Sequence, residues 1–165
     1  MTKNQKYTVE PLSSEHNRDN FDCGVPDLNR FIKQFASQNQ KKKLTRTYVC
    51  IASDKNVVGY YSLAFGSVHQ EGAPDFMTRG IGKYQIPVMI IGRLAIDKSE
   101  QGKGLGVALL KDAVIRTKRA EEIGGLKAIL VHAKDDNAQK FYTKYGFIPS
   151  LGDPLTLFFP IEFDL

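Results

Sequence analysis

The chain has 165 residues, 42% of them hydrophobic, and its 23 Lys and Arg outnumber 18 Asp and Glu for a net charge of +5. That length and composition fit a single domain spanning residues 1–165 with one core, and no apolar run nears the ~20 residues of a bilayer span. The first residues lead into no apolar h-region, and the two cysteines, Cys23 and Cys50, make no disulfide framework, so a reduced, cytoplasmic setting without a signal peptide is expected. The three histidines, His16, His69 and His132, are scattered without ligand spacing, so no metal site is expected.

In chain order, Tyr7 to Leu12 reads as a first strand. Leu28, Phe31, Ile32 and Phe35 recur at helical spacing within Pro26 to Asn39, with Asp27 in the first turn. Thr47 to Ala52 and Val57 to Phe65 flank Asp54-Lys55-Asn56 as a hairpin. A Gly- and Pro-rich loop, with room for a short helix, fills Gly66 to Pro87 before an apolar strand, Val88 to Ile96. A helix over Val107 to Ile123 and a strand over Leu126 to His132 follow. Next comes a helix carrying Tyr142, with N-cap candidates Asp135, Asp136 and Asn137 and a stop at Gly146. Strands around Phe147 and over Leu155 to Ile161 close the chain. This alternation predicts an α/β fold, a mixed central sheet with helices on both faces.

Charge is uneven. From Leu28 to Ser53 there is no acid, yet Arg30, Lys33, Lys41, Lys42, Lys43 and Arg46 supply +6, more than the whole chain's net +5. Lysines favour a helix C-terminus on their own account, so one reading is a solvated helix end. The other is a docking surface for a phosphate backbone, which clustered Lys and Arg attract.

Between the strand ending at Ile96 and the next helix lie Gly102, Gly104 and Gly106. Glycine permits positive φ and close backbone approach to a ligand, and the first N–H groups of a helix are unpaired and partly positive. Such a turn seats phosphate oxygens; a glycine-rich turn without a ligand is the alternative. The spacing fits neither a dinucleotide G-x-G-x-x-G nor a P-loop G-x-x-x-x-G-K. It is Gln101-Gly102-Lys103-Gly104-Leu105-Gly106, a Q-x-x-G-x-G run.

That run resembles the pyrophosphate loop of the GNAT acyltransferases, which bind acetyl-coenzyme A. Downstream, Asn137 to Phe147 resembles the family's closing helix, matching it best at Phe141-Tyr142 and Gly146-Phe147. The likeness, covering nearly the whole chain, implies the GNAT fold and acetyl-CoA as co-substrate. It implies cofactor contacts at Leu94, Ala95 and Ile96, at Gln101, Gly102, Lys103, Gly104, Leu105 and Gly106, and at Asn137 and Tyr142. Ala138, Phe141, Tyr142 and Tyr145 share one helix face; Phe141 and Tyr145 read as core, and Tyr142 as the tyrosine near the thioester sulfur.

A narrower resemblance is to the GNAT toxins of bacterial type II toxin–antitoxin modules. It rests on Phe21-Asp22-Cys23-Gly24-Val25-Pro26-Asp27-Leu28-Asn29-Arg30-Phe31, on Arg46 to Val49, on Ile91 to Asp97, and on Asp153-Pro154-Leu155-Thr156-Leu157. This likeness implies acetylation of the α-amine of charged tRNA, a block to translation, and a ribbon–helix–helix antitoxin as partner. Homodimerisation is expected from family behaviour alone. The chemistry agrees on one point. Pro87 to Ile96 holds no carboxylate to deprotonate a lysine of pKa about 10.4, whereas an α-amine titrates near about 7.7–8.0 and lower still when its carboxyl is esterified. Glu71 or Asp75 in the long loop is an alternative base.

The expected mechanism is direct transfer. The pyrophosphate sits on the N–H groups of residues 101–106, and a backbone N–H of the preceding strand polarises the thioester carbonyl. Tyr142 protonates the leaving thiolate. Arg93 is either a substrate-phosphate contact or an ordinary surface or ion-paired arginine. Two rival readings are a GNAT enzyme acting on a small amine or protein N-terminus, and a non-catalytic CoA- or nucleic-acid-binding module, which a tyrosine at the acid position disfavours.

Overall fold

The computed structural model describes residues 7–165. Seven strands form a mixed sheet in the order β1-β2-β3-β4-β5-β7-β6, flanked by helices. The strands are β1 (Thr8–Pro11), β2 (Arg46–Ile51), β3 (Val57–Val68), β4 (Ile86–Ile96), β5 (Ala128–His132), β6 (Ile148–Pro149) and β7 (Thr156–Pro160). The chain divides into two compact units, one of residues 7–63 with 93–112, the other of 64–92 with 113–165. Among the described residues no helix is long and apolar enough to cross a membrane.

In the first unit β1 pairs antiparallel with β2, and β2 with the first half of β3, where Tyr60 and Tyr61 are fully buried. Its core gathers Leu12, Phe21, Phe31, Ile32, Val49, Ile51, Tyr60 and Ala95. The helix expected over Pro26 to Asn39 is not regular. It runs as α1 (Pro26–Arg30), a π-helical turn (Phe31–Phe35) and α2 (Ala36–Lys41). The Ala36 N–H reaches back five residues to the Phe31 carbonyl. Helical carbonyls here are also claimed from outside: Arg18 donates to the Ile32 carbonyl at 3.1 Å and to Ser37 Oγ at 2.9 Å, and Tyr60 donates its hydroxyl to the Leu28 carbonyl at 2.7 Å. π turns survive where such tertiary bonds offset their poorer packing, often at functional sites.

In the second unit β4 and β5 pair in parallel, from Val88 with Ala128 to Ile91 with Val131, and β7 lies antiparallel between β5 and β6. Parallel strands buried on both faces read as continuous apolar runs, and Val88-Met89-Ile90-Ile91 and Ala128-Ile129-Leu130-Val131 are such runs. The expected loop at Gly66 to Pro87 is shorter, because β3 runs on to Val68 and β4 starts at Ile86, with α3 (Asp75–Thr78) as the short helix.

Helix α4 (Leu105–Glu121) starts two residues before the expected Val107 and ends before Ile123. It buries Leu105, Leu109, Leu110, Ala113, Val114 and Thr117, a stripe at helical spacing. Helix α5 (Asp136–Lys144) is capped by the Asp135 carboxylate, which accepts the Ala138 N–H at 2.8 Å. It ends where Gly146 takes φ +95 and the Phe147 N–H bonds back to the Tyr142 carbonyl at 3.1 Å. That left-handed turn is one a side chain would strain, so glycine stops the helix here.

Candidate active site

The glycine loop is held from several sides within the first unit. After β4, Asp97 turns the chain by accepting the Ser99 N–H at 3.0 Å, the Ser99 hydroxyl at 2.6 Å and the Asp22 N–H at 2.8 Å. Partial burial opposes ionisation of Asp97, but the Ser99 and Asp22 hydrogen bonds outweigh it and hold the carboxyl below its ordinary range. The Gln101 amide donates to the Ile96 carbonyl at 2.9 Å and to the Cys23 carbonyl at 3.0 Å. Its side chain is thus spent on fixing the loop, which leaves the backbone as what the loop presents outward.

Gly102 and Gly104 adopt φ +78 and +85, and a Cβ built on either meets no atom within 4 Å. Glycine is required there for backbone conformation, and the space outside the loop is open. Gly106 lies instead within the first turn of α4, so the expectation that all three glycines form the turn is corrected to two. The first turn of α4 carries no acid, leaving its positive end uncompensated. The open loop, the two left-handed glycines and the unpaired N–H groups fit a pyrophosphate.

Lys103 extends from this loop with Nζ 3.6 Å from Glu100 Oε2. Glu100 is buried and also accepts the Tyr7 hydroxyl at 2.5 Å. Along the end of β4, Ala95 is buried, while Leu94 and Ile96 are half-buried. Gly59 lets β3 pass them, since a Cβ there would stand 3.0 Å from Ile96 Cδ1 and 3.3 Å from the Ala95 carbonyl. Arg93 is half-buried and not an ordinary surface arginine: its guanidinium lies 3.8 Å from the centroid of the Phe31 ring, itself stacked on Tyr60. The π turn carries that ring, so the irregular helix and the oriented arginine belong to one assembly.

The basic residues Arg30, Lys33, Lys41, Lys42, Lys43 and Arg46 are all exposed. Arg30 pairs with Asp27 at 2.9 Å, an exposed pair worth little. Lys41 ends α2, Lys42 caps it, and Lys43 takes φ +62, so three cations crowd a helix C-terminus.

In the second unit Tyr142 is 9% exposed and packs against Phe141 and Phe147. Burial alone pushes its phenol up to about 12, so it keeps its proton at neutral pH. Tyr145, expected as core, is only half-buried, as is Phe141; of the three ring positions on this helix face Tyr142 is the most enclosed. Asn137 is exposed in the first turn of α5. The alternative bases Glu71 and Asp75 are exposed. Sequence reasoning passed over the bracing role of Gln101, and over His132, which pairs across strands with Thr156. The only sequence signal for the latter was a histidine at the end of a strand and a nearby Asp-Pro-Leu-Thr turn.

Residues 45–149 match the family model described as an acetyltransferase (GNAT) domain. The chain is 42% identical over 137 residues to a tRNA-acetylating toxin of Mycobacterium tuberculosis, covering 83% of this chain and 81% of that protein. It is similar to the solved structure of AtaT complexed with acetyl-methionyl-tRNAfMet, with TM-score 0.88 and 31% identity over 94% of this chain and 95% of that one. A tyrosine-to-phenylalanine mutant of AtaT bound to the C-terminus of the antitoxin AtaR and acetyl-CoA matches with TM-score 0.83 and 30% identity over 94% of each chain. The glycine-turned Q-x-x-G-x-G loop opening α4 and the buried tyrosine on α5 both sit within the matched span, and the chain belongs to the GNAT acetyltransferase family.

Proposed function

We propose that this protein is a toxin acetyltransferase, working as one catalytic domain, that moves the acetyl group of acetyl-CoA to the α-amine of an aminoacyl-tRNA and so blocks translation. The likeness to AtaT in complex with an acetylated aminoacyl-tRNA, extending over 94% of the chain, carries this reading. The acid-free segment, whose six basic side chains are all exposed, supports it independently.

In this reading the N–H groups of residues 101–106 receive the pyrophosphate, with Gln101 bracing the loop from behind. Leu94, Ala95 and Ile96 line the pantetheine, and Asn137 touches the same arm. A backbone N–H of β4 polarises the thioester carbonyl. Tyr142, protonated at neutral pH, donates to the departing sulfur. Arg30, Lys33, Lys41, Lys42, Lys43, Arg46 and Arg93 engage tRNA phosphates, Arg93 as a cation pre-aimed by Phe31. The partner that silences the enzyme is a ribbon–helix–helix antitoxin whose tail is acidic or amphipathic, and the enzyme itself assembles as a homodimer. Induced expression in a bacterial host tests the toxin reading: growth should arrest with the wild-type gene and continue with Tyr142→Phe. Unimpaired growth under wild-type expression at verified protein levels would contradict it.

A further inference from the structure

His132 is exposed at the carboxyl end of β5, the strand that runs parallel to β4. Ligands of open α/β sheets gather at the carboxyl ends of parallel strands. Its Nδ1 lies 3.1 Å from Thr156 Oγ1, its direct partner on β7. That hydroxyl also lies 2.8 Å from Asp153 Oδ2, to which it donates, and the other carboxylate oxygen of Asp153 accepts the Leu155 N–H at 3.0 Å. The Thr156 and Leu155 bonds hold the Asp153 carboxyl below its ordinary range, so it is ionised and only accepts.

The proton count then fixes the histidine. A threonine hydroxyl has one proton, and Thr156 spends it on Asp153. Toward His132 the same oxygen can only accept, so Nδ1 must carry the ring proton. Neutral His132 therefore presents its lone pair at Nε2. Charged neighbours are few: β4 over Ile86 to Gly92, the rest of β5, and β7 carry no titratable side chain. Asp153 is linked to the ring through the Thr156 hydroxyl, and Lys134 and Asp135 follow in the chain.

We propose that His132 is the catalytic base of the transfer, accepting at Nε2 the proton shed by the attacking amine, with Thr156 and Asp153 as positioning residues that fix its tautomer. The proposal rests on the aminoacyl-tRNA reading above. The neutral amine needs no base before attack, but attack makes it an ammonium. Its conjugate acid, near or below about 7.7–8.0, is then a better leaving group than a thiolate of conjugate acid about 8.5. Unless that proton departs, the adduct reverts. Nitrogen bonds to the acetyl carbon, its proton passes to His132 Nε2, the carbon–sulfur bond breaks and Tyr142 protonates the sulfur. The imidazolium then returns its proton to solvent and the phenolate regains one.

The test is the pH dependence of kcat/KM for acetylation of charged tRNA by wild type, His132→Gln, Thr156→Val and Thr156→Ser, with acetyl-CoA saturating. Toward acid pH, where both the amine and the base must give up a proton to act, the wild-type log–log slope should approach two, one for each group. His132→Gln should show a slope of one and a rate at pH 7 about 10²-fold lower, the low end for general acid–base catalysis. Thr156→Val should lose a large part of that factor and Thr156→Ser should regain it, a rescue that a packing role for the threonine methyl does not predict. An active wild type whose His132→Gln variant keeps a slope of two and a rate within twofold overturns the proposal alone. A wild type inactive on charged tRNA overturns the substrate reading and the proposal with it.

Discussion

Replacing Gln101 with Ala isolates the role assigned to its side chain. The amide makes two hydrogen bonds, 2.9 Å to the Ile96 carbonyl and 3.0 Å to the Cys23 carbonyl, and so ties the loop to the end of β4 and to a segment 78 residues earlier in sequence. A hydrogen bond contributes about 0.5–1.5 kcal/mol net. Gln101 is exposed and water can replace the lost donor, so about 1 kcal/mol of stability is the reasonable sum for both. In a domain of this size that lowers Tm by roughly 2–4 °C. The larger effect should fall on acetyl-CoA. A loop free to leave its binding geometry must be reordered on binding, and about 1–2 kcal/mol of lost pre-organisation weakens Kd by roughly five- to thirtyfold. Gln101→Glu should be worse, because it sets a carboxylate against two carbonyls and beside a phosphate site. Isothermal calorimetry with acetyl-CoA and a thermal melt decide it. If Tm falls as stated while Kd stays within twofold of wild type, the loop is not the pyrophosphate seat.

Tyr142→Phe keeps the ring packed on Phe141 and Phe147 and removes the donor, so melting should barely change while kcat falls by about 10²–10⁴; equal turnover in both proteins would remove Tyr142 from the chemistry. Lys41, Lys42 and Lys43 changed together to Gln should raise KM for charged tRNA and flatten the dependence of log KM on log salt by about two to three, since each phosphate contact contributes roughly 0.7–0.9 to that slope. Acetyl-CoA affinity should not move, and an unchanged slope would reduce the cluster to a solvated helix end. Asp97 has a folded-state pKa lowered by its Ser99 and Asp22 hydrogen bonds. Its stabilisation is therefore complete above the unfolded value of about 3.9 and is lost as pH falls through the lower folded value. Melts between about pH 5 and about pH 2 should show a loss in wild type that is shallower in Asp97→Asn.

Local patterns made much of this fold legible. The continuous apolar runs at Val88 to Ile91 and Ala128 to Val131 announced strands, whose parallel pairing the structure supplies, and the Q-x-x-G-x-G run between strand and helix announced the loop. Asp135 and Gly146 bracket α5 as caps should. What stayed hidden depends on partners far away in the chain. Helical spacing over residues 26–39 carries no trace of the Arg18 and Tyr60 donors that bind its carbonyls, so the π turn was unreadable. Spacing set Tyr142 and Tyr145 on one face, but only tertiary packing makes the first buried and leaves the second half-exposed. Gln101 matches a phosphate-loop motif, yet its amide points back at two carbonyls, one of them from Cys23. His132 looked like one of three unrelated histidines because Thr156 and Asp153 lie more than twenty positions on.

The acceptor is the central claim, and mass spectrometry of the product tests it most directly. Purified protein is incubated with acetyl-CoA and total charged tRNA, the RNA is digested to nucleosides, and the aminoacyl-adenosine species are weighed and fragmented. The account predicts one or a few aminoacyl-adenosines heavier by a single acetyl group, with the modification on the α-nitrogen, and none when the tRNA is deacylated beforehand. Acetyl groups absent from every aminoacyl-adenosine, but present on lysine side chains or protein N-termini in the same mixture, would contradict it.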